Sequence, residues 1–343
     1  MATKNAGIAI LALLGSLALA GCSNSADATA QSTAGSKAPE KLKVAVLLAG
    51  ATSGFGQAVH DGFMNTAKDL NVEATAFDAG FDPNKQFSQL QTAIASGQYN
   101  AIAVHPIAPE QMCKTLQAQA AKGIAVIAMD QPVCSDPLTP FEKSAPEGIT
   151  AFVGGDTSVD QLGEWAKKVV ADNAGGKVLV LNGPEGSAIT KILDTATQQA
   201  VSDSSAGKDV KIINAFTDFS QAMAQSQTAS LLVSNPDISV IGVSGAEMAR
   251  GALAAVKSTN AKNVKVYVYA GDQASIEMMT EGEASVVRAA RPFTAGMEAA
   301  KLFADLQEGK SVPQLVYTPT SEPNRPPATL LTPENLGSYK AEY

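Results

Sequence analysis

From residue 42 onward, short runs of β-branched and aliphatic residues alternate with longer stretches in which apolar positions recur every three or four residues. The first pattern predicts strands, the second helices packed by one face. Lys43-Val44-Ala45-Val46-Leu47-Leu48 is nearly continuous in apolar residues, the pattern of a strand covered on both sides. It stops at a small-residue loop, 49–54, and residues 55–70 then carry Val59, Phe63 and Ala67 at helical spacing. Strands are predicted over 72–78, 101–105 and 124–129, with helices over 85–96 and 109–122 between them. After a Pro- and Ser-rich stretch at 132–148 the alternation restarts, with helices over 159–171, 188–201, 220–235 and 248–257 and strands over 178–182, 210–216, 240–243 and 264–270.

This repeated alternation predicts an α/β fold of two Rossmann-like lobes, each a parallel sheet between helical layers joined by right-handed crossovers. The length of 343 residues agrees with two lobes once the ends are set aside, at about 100–200 residues per domain. Open sheets of this kind take ligands outside the carboxyl ends of their strands, so candidate residues are sought in strand-end loops.

The amino-terminal end follows a different pattern. Lys4 precedes an apolar run over 6–20, too short to span a bilayer and of the length of a secretory core. The run closes on Leu19-Ala20-Gly21-Cys22, which resembles the lipobox of bacterial lipoproteins. That resemblance implies a signal peptide at 1–21, acylation of Cys22, and lipid anchorage on the outer side of a bacterial cell membrane. A plain signal peptide or an uncleaved anchor is the alternative. Residues 22–40 offer almost nothing to bury and read as a disordered tether.

Composition narrows the function further. A formal charge of −8, without a basic cluster, excludes a nucleic-acid partner, which needs grouped Lys and Arg against phosphates. His60 and His105 are the only histidines, and neither pairs closely with a cysteine, so neither a metal nor another cofactor is expected. The chain holds no Gly-x-Ser-x-Gly elbow and no Walker loop, and Gly175-Gly176-Lys177 lacks a phosphate-cradle pattern, so an enzyme is not expected. Cys113 and Cys134 fall at the same edge of the first predicted sheet, in a compartment that permits disulfides. A disulfide is the favoured reading and two free thiols the other.

Several segments together resemble periplasmic sugar-binding proteins of the ribose-binding type, the solute-binding components of ABC importers, over residues 42 to about 331. The first strand with its loop ending in Phe55, Ala128-Met129-Asp130, Gly183 with Gly186-Ser187-Ala188, Asp218-Phe219-Ser220, Glu247-Met248-Ala249 and Glu281-Gly282 carry the likeness through their order and placement. The resemblance implies a type I periplasmic binding protein fold. Its amino-terminal lobe would be 41–153 plus 291–319 and its carboxy-terminal lobe 154–290 plus 320–343. Three crossings would lie near 153–156, 289–292 and 317–322.

The resemblance also implies the site. Phe55 and Phe219 would supply apolar faces for a ring, one per lobe, and Asp130 would accept hydroxyl groups. Beside what the resemblance implies, Ser53, Gln57, His105, Gln131, Ser187, Asp272 and Arg291 are nearby polar groups that complete the candidate ligand-binding set. The chain departs from the family at Gln131 and Leu193, where arginines are usual, and at Gly245, Ala270 and Ala290, where amides or acids are usual. A sugar clamped by two guanidinium forks is therefore not expected. The function implied is capture of a small carbohydrate or polyol by a monomer that delivers it to a membrane permease with a cytoplasmic ATPase. A non-sugar solute such as an amine, a nucleoside-like or a furanone-like compound is the alternative ligand, and a sensor subunit docking on a receptor is the alternative role.

Overall fold

The computed structural model describes residues 41–140, 143, 146–173, 175–204, 209–318 and 330–343. Cys22, the leader, the tether and most of the third crossing lie outside the described residues. The first sheet contains β1 (Lys43–Leu48), β2 (Glu73–Asp78), β3 (Ala101–Val104), β4 (Ala125–Asp130), β5 (Ala151–Gly154) and β11 (Leu315–Tyr317). Their order is β11-β5-β4-β3-β1-β2, and every pairing is parallel. The second contains β6 (Lys177–Asn182), β7 (Lys211–Phe216), β8 (Ile238–Ser244), β9 (Lys265–Ala270), β10 (Val286–Ala289) and β12 (Leu330–Leu331). The order here is β12-β10-β9-β8-β6-β7, with β12 antiparallel to β10. The two-lobe α/β class expected from the alternation is the one found.

Helices cover both sheets: α1 (Gly54–Asp69), α2 (Pro83–Ser96) and α3 (Pro109–Ala120) in the first lobe, then α4 (Val159–Ala171), α5 (Ala188–Asp203), α6 (Gln221–Ser234), α7 (Ala246–Ser258) and α8 (Gln273–Thr280) in the second. Their starts are set by local chemistry. Ser53 caps α1 by accepting from Gly56, Asp82 caps α2 ahead of Pro83, and Ser158 caps α4. The apolar stripe of α4 buries Trp165 completely in the core of the second lobe, the packing role its helical spacing predicts.

After β10 the chain returns to the first lobe as α9 (Pro292–Gln307), whose Ala295, Ala299 and Phe303 pack with Val59 and Phe63 of α1. At the crossings, the carboxylate of Asp156, in the first, lies 4.0 Å from Arg291 of the second and accepts at 2.8 Å from Thr318 at the start of the third. All three residues are nearly fully buried. Burial pushes the Asp156 carboxyl up, while Arg288, Arg291 and the Thr318 hydroxyl pull it down.

Candidate ligand-binding site

A cavity of about 110 Å³ lies at the carboxyl ends of the strands, between the two lobes. A single water takes about 10–15 Å³ on this measure, so a molecule of roughly monosaccharide size fits. The walls repeat one device in both lobes. Gly50 follows β1 and Gly183 follows β6, and a side chain at either position would run into a phenyl ring, Phe81 after β2 or Phe219 after β7. The two rings touch where the lobes meet, tilted by 44° with centroids 4.7 Å apart. Phe81, Asp130 and Phe219 all line the cavity with φ between 62° and 65°, the left-handed region that costs a non-glycine residue free energy. Such strain is retained where the surroundings require that direction of side chain, and it clusters at ligand sites.

Replacing Gly183 with Ala forces the Phe219 ring from its place opposite Phe81, an overpacking that costs about 1–3 kcal/mol. Affinity for the bound solute is expected to fall about tenfold, and the overpacking lowers the thermal midpoint of the free protein by a few degrees. Titration calorimetry against the wild type checks this, and an unaltered affinity would show that the ring contributes nothing to the site.

Asp130 ends β4, is 7% exposed, and is tied into a chain of hydroxyls. Thr157 donates to Asp130 Oδ1 at 2.7 Å and meets the Tyr269 hydroxyl at 2.6 Å. A hydroxyl has one proton, so with Thr157 donating to the carboxylate the Tyr269 phenol must donate to Thr157. Burial holds the Tyr269 phenol well above its usual range and keeps that proton in place. The chain thus links Asp130 of the first lobe, the crossing, and β9 of the second. His105 Nε2 and Gln131 Nε2 each stand 3.5 Å from the other carboxylate oxygen. The turn bearing His105 is fixed by buried Gln86, which donates to His105 O and accepts from Ile107 N.

Three buried polar atoms of cavity-lining residues have no hydrogen-bond partner among the described residues: His105 Nδ1, Gln131 Oε1 and Ser244 Oγ. Buried polar groups are otherwise almost always satisfied, so these three mark where a polar solute would bond. Of the sequence-predicted residues, the structure brings Ser53, Phe55, His105, Asp130, Gln131, Ser187, Phe219 and Asp272 together around the cavity. Two it does not. Gln57 is exposed on α1 and donates to Asp61 at 2.8 Å, because it falls on the solvent side of that helix. Arg291 is buried beside Asp156 at the crossings, where its charge has a carboxylate partner behind the site.

Ser53 is also spoken for in part, as the α1 cap. Leu193 and Ala290 belong to the second-lobe core, whereas Gly245 and Ala270 do line the cavity and present no polar side chain to it. Sequence reasoning missed Phe81, Thr157, Ser244, Tyr269 and Tyr343, and used Glu247 only as part of a motif. Tyr343 enters through the segment after β12. Its carbonyl accepts from Gln273 N, its hydroxyl reaches Ala270 O at 3.3 Å, and its ring stands edge-on to Phe55 at 6.4 Å. Lobe-to-lobe contacts at the cleft are completed by Glu247 accepting from Gly54 N at 2.9 Å and by Lys191 donating to Glu110 at 3.0 Å. Cys113 of α3 and Cys134, four residues beyond Asp130, are joined by a disulfide with Cα atoms 4.9 Å apart.

The profile of the periplasmic binding protein domain matches residues 44–311. The chain belongs to that family. Among relatives of this periplasmic binding protein are the ribose import binding proteins of Bacillus subtilis and Haemophilus influenzae, each 24% identical. The alignments cover 77% of this chain and 81% of the Bacillus protein, and 83% and 89% for the Haemophilus protein. Among solved structures, an ABC transporter solute-binding protein of Mycobacterium smegmatis with bound glycerol is 26% identical with a TM-score of 0.72, over 87% of this chain and 96% of that one. The Caulobacter myo-inositol binding protein, at 23% identity and a TM-score of 0.72 over 88% and 96% of the two chains, shares the fold.

Proposed function

We propose that this chain captures a small carbohydrate or polyol between its two lobes and delivers it to an ABC permease driven by a cytoplasmic ATPase. It works outside the cytoplasm, held to the bacterial membrane by lipid on Cys22. The observation that carries the reading is the cavity itself: touching phenyl rings from the two lobes, with buried Asp130, His105, Gln131 and Ser244 turned toward the same space. Apolar faces suit the C–H side of a small ring or polyol, and the buried polar atoms suit its hydroxyls. The ribose, glycerol and myo-inositol named for its relatives belong to one chemical class, which supports the same choice. Its family is one of transport proteins, and we assign the chain no catalytic step.

A thermal-shift panel of pentoses, hexoses and polyols on the mature body tests this. A ligand at 100 times its Kd is expected to stabilise the protein by about 2.7 kcal/mol, raising the midpoint by several degrees. If every member leaves the midpoint fixed while another solute class moves it, the carbohydrate assignment is wrong.

A further inference from the structure

The polar groups of the cavity are unusually one-sided. Asp130, Glu247 and Asp272 place three carboxylates in its lining, and among the described residues no Lys or Arg lines it. The orphaned atoms lean the same way. In the tautomer that carries its single proton on Nε2, toward the Asp130 carboxylate, His105 presents Nδ1 as an acceptor. Gln131 must turn its NH₂ to that carboxylate, since the reverse orientation would set oxygen against oxygen, and this leaves Oε1 as a second acceptor. Only Ser244 Oγ can serve as either donor or acceptor.

Glu247 and Asp272 converge from different helices. A methyl group built on Gly54 would stand 3.3 Å from Glu247 Oε1 and 3.9 Å from Asp272 Oδ2. Asp272 spends Oδ1 on capping α8 through Ser275, which leaves Oδ2 on the Gly54 side. Positive charge near the pair comes from the α1 amino terminus, a partial charge that reaches Glu247 through Gly54 N, and from exposed Arg250 outside the lining; His105, the titratable base among the described lining residues, faces Asp130 instead. Burial and neighbouring Glu247 push the Asp272 carboxyl up, as expected for acids crowded together away from water. A neutral guest that excludes water from this corner leaves both acids facing each other. A guest with its own positive charge relieves them.

Resting on the carbohydrate reading above, we propose that the favoured solute is an amine-bearing polyol, such as an amino sugar or aminocyclitol. Its ammonium group lies against Glu247 and Asp272, and its hydroxyls meet Asp130, Gln131 and Ser244. Acidic counterparts are refused, because a further negative charge would enter a cavity that already holds three carboxylates and is lined by no Lys or Arg among the described residues.

Matched probes test the charge preference directly: glucose, glucosamine and glucuronate; galactose, galactosamine and galacturonate; and myo-inositol with an aminodeoxy-inositol. Dissociation constants are measured by calorimetry at neutral pH on the mature body. Within at least one set the amine is expected to bind at least tenfold tighter than its neutral parent, with no binding by the acid. That ratio is expected to collapse in Glu247→Gln and in Asp272→Asn, either variant sufficing if the other does not fold. Neutral members binding as tightly as the amines, or an amine preference that persists in the folded variants, overturns the charge proposal and leaves the carbohydrate reading standing. Failure of all members, whatever their charge, overturns the charge proposal, and the panel of pentoses, hexoses and polyols then decides the carbohydrate reading.

Discussion

Asp156→Ala is expected to lower the unfolding free energy of the solute-free protein by about 3–5 kcal/mol. Asp156 is 3% exposed and connects the three crossings, facing Arg291 at 4.0 Å and accepting from Thr318, with Arg288 close enough to influence its charge. Burial pushes its carboxyl up, so its ionised form is no great gain over a well-packed apolar group. Its removal is another matter, because it takes a carboxylate from beside Arg291, which is 3% exposed, and an acceptor from the buried Thr318 hydroxyl. Breaking a buried ion cluster from one side is costly for that reason. Urea denaturation of wild type and variant gives the difference, and a loss below about 1 kcal/mol would mean that the crossings do not depend on this residue.

Asp130→Ala is expected to abolish the ligand-induced thermal shift. Truncating one partner of a buried, hydrogen-bonded charge costs about 2–5 kcal/mol of binding, or some 30-fold to several-thousand-fold in Kd. Asp130 is suited to this role by its position at the end of β4, its left-handed backbone, and the Tyr269–Thr157 chain that orients one carboxylate oxygen. The substitution also removes the acceptor on which Thr157 and Gln131 rely. Asp130→Asn, which keeps the shape and tolerates the same backbone, should fall between alanine and wild type. An unchanged response to the solute in the alanine variant would remove Asp130 from the binding machinery.

The alternation that predicts the fold is legible because covered parallel strands are written as apolar runs and surface helices as stripes, and most predicted elements begin and end within a few residues of the observed ones. Some of the elements that the pattern does not announce are short or atypical. β5 is four residues, β11 three, and α8 eight with polar Gln273, Ser275 and Glu277 in its first turns. Each is recognised only by the neighbour it packs against.

The site divides along similar lines. Asp130 and Phe219 stand at the ends of well-marked strands, where a sequence reading looks first. Phe81 lies in Gly80-Phe81-Asp82-Pro83, a run that reads as a turn and a helix cap, and nothing local says that its ring has a counterpart in the other lobe. Tyr343 arrives by a path that only the tertiary fold defines. Gln57 and Arg291 were plausible by position, but a polar side chain near a strand end can equally face solvent or answer another charge, and here they do so. The missing guanidinium groups were legible, and the acceptor-rich lining follows from them once Glu247 is added.

The crosslink between Cys113 and Cys134 bears on more than the endurance of the first lobe. The stretch that carries Asp130 and Gln131 leaves a fully paired strand and, within four residues, is fastened covalently to α3. A loop held at both ends has little freedom left to surrender when a solute arrives, so less of the interaction energy is consumed in ordering it. Chain made where thiols stay reduced would carry the same acid on a looser segment, so the compartment in which this protein matures helps determine how tightly it grips its cargo.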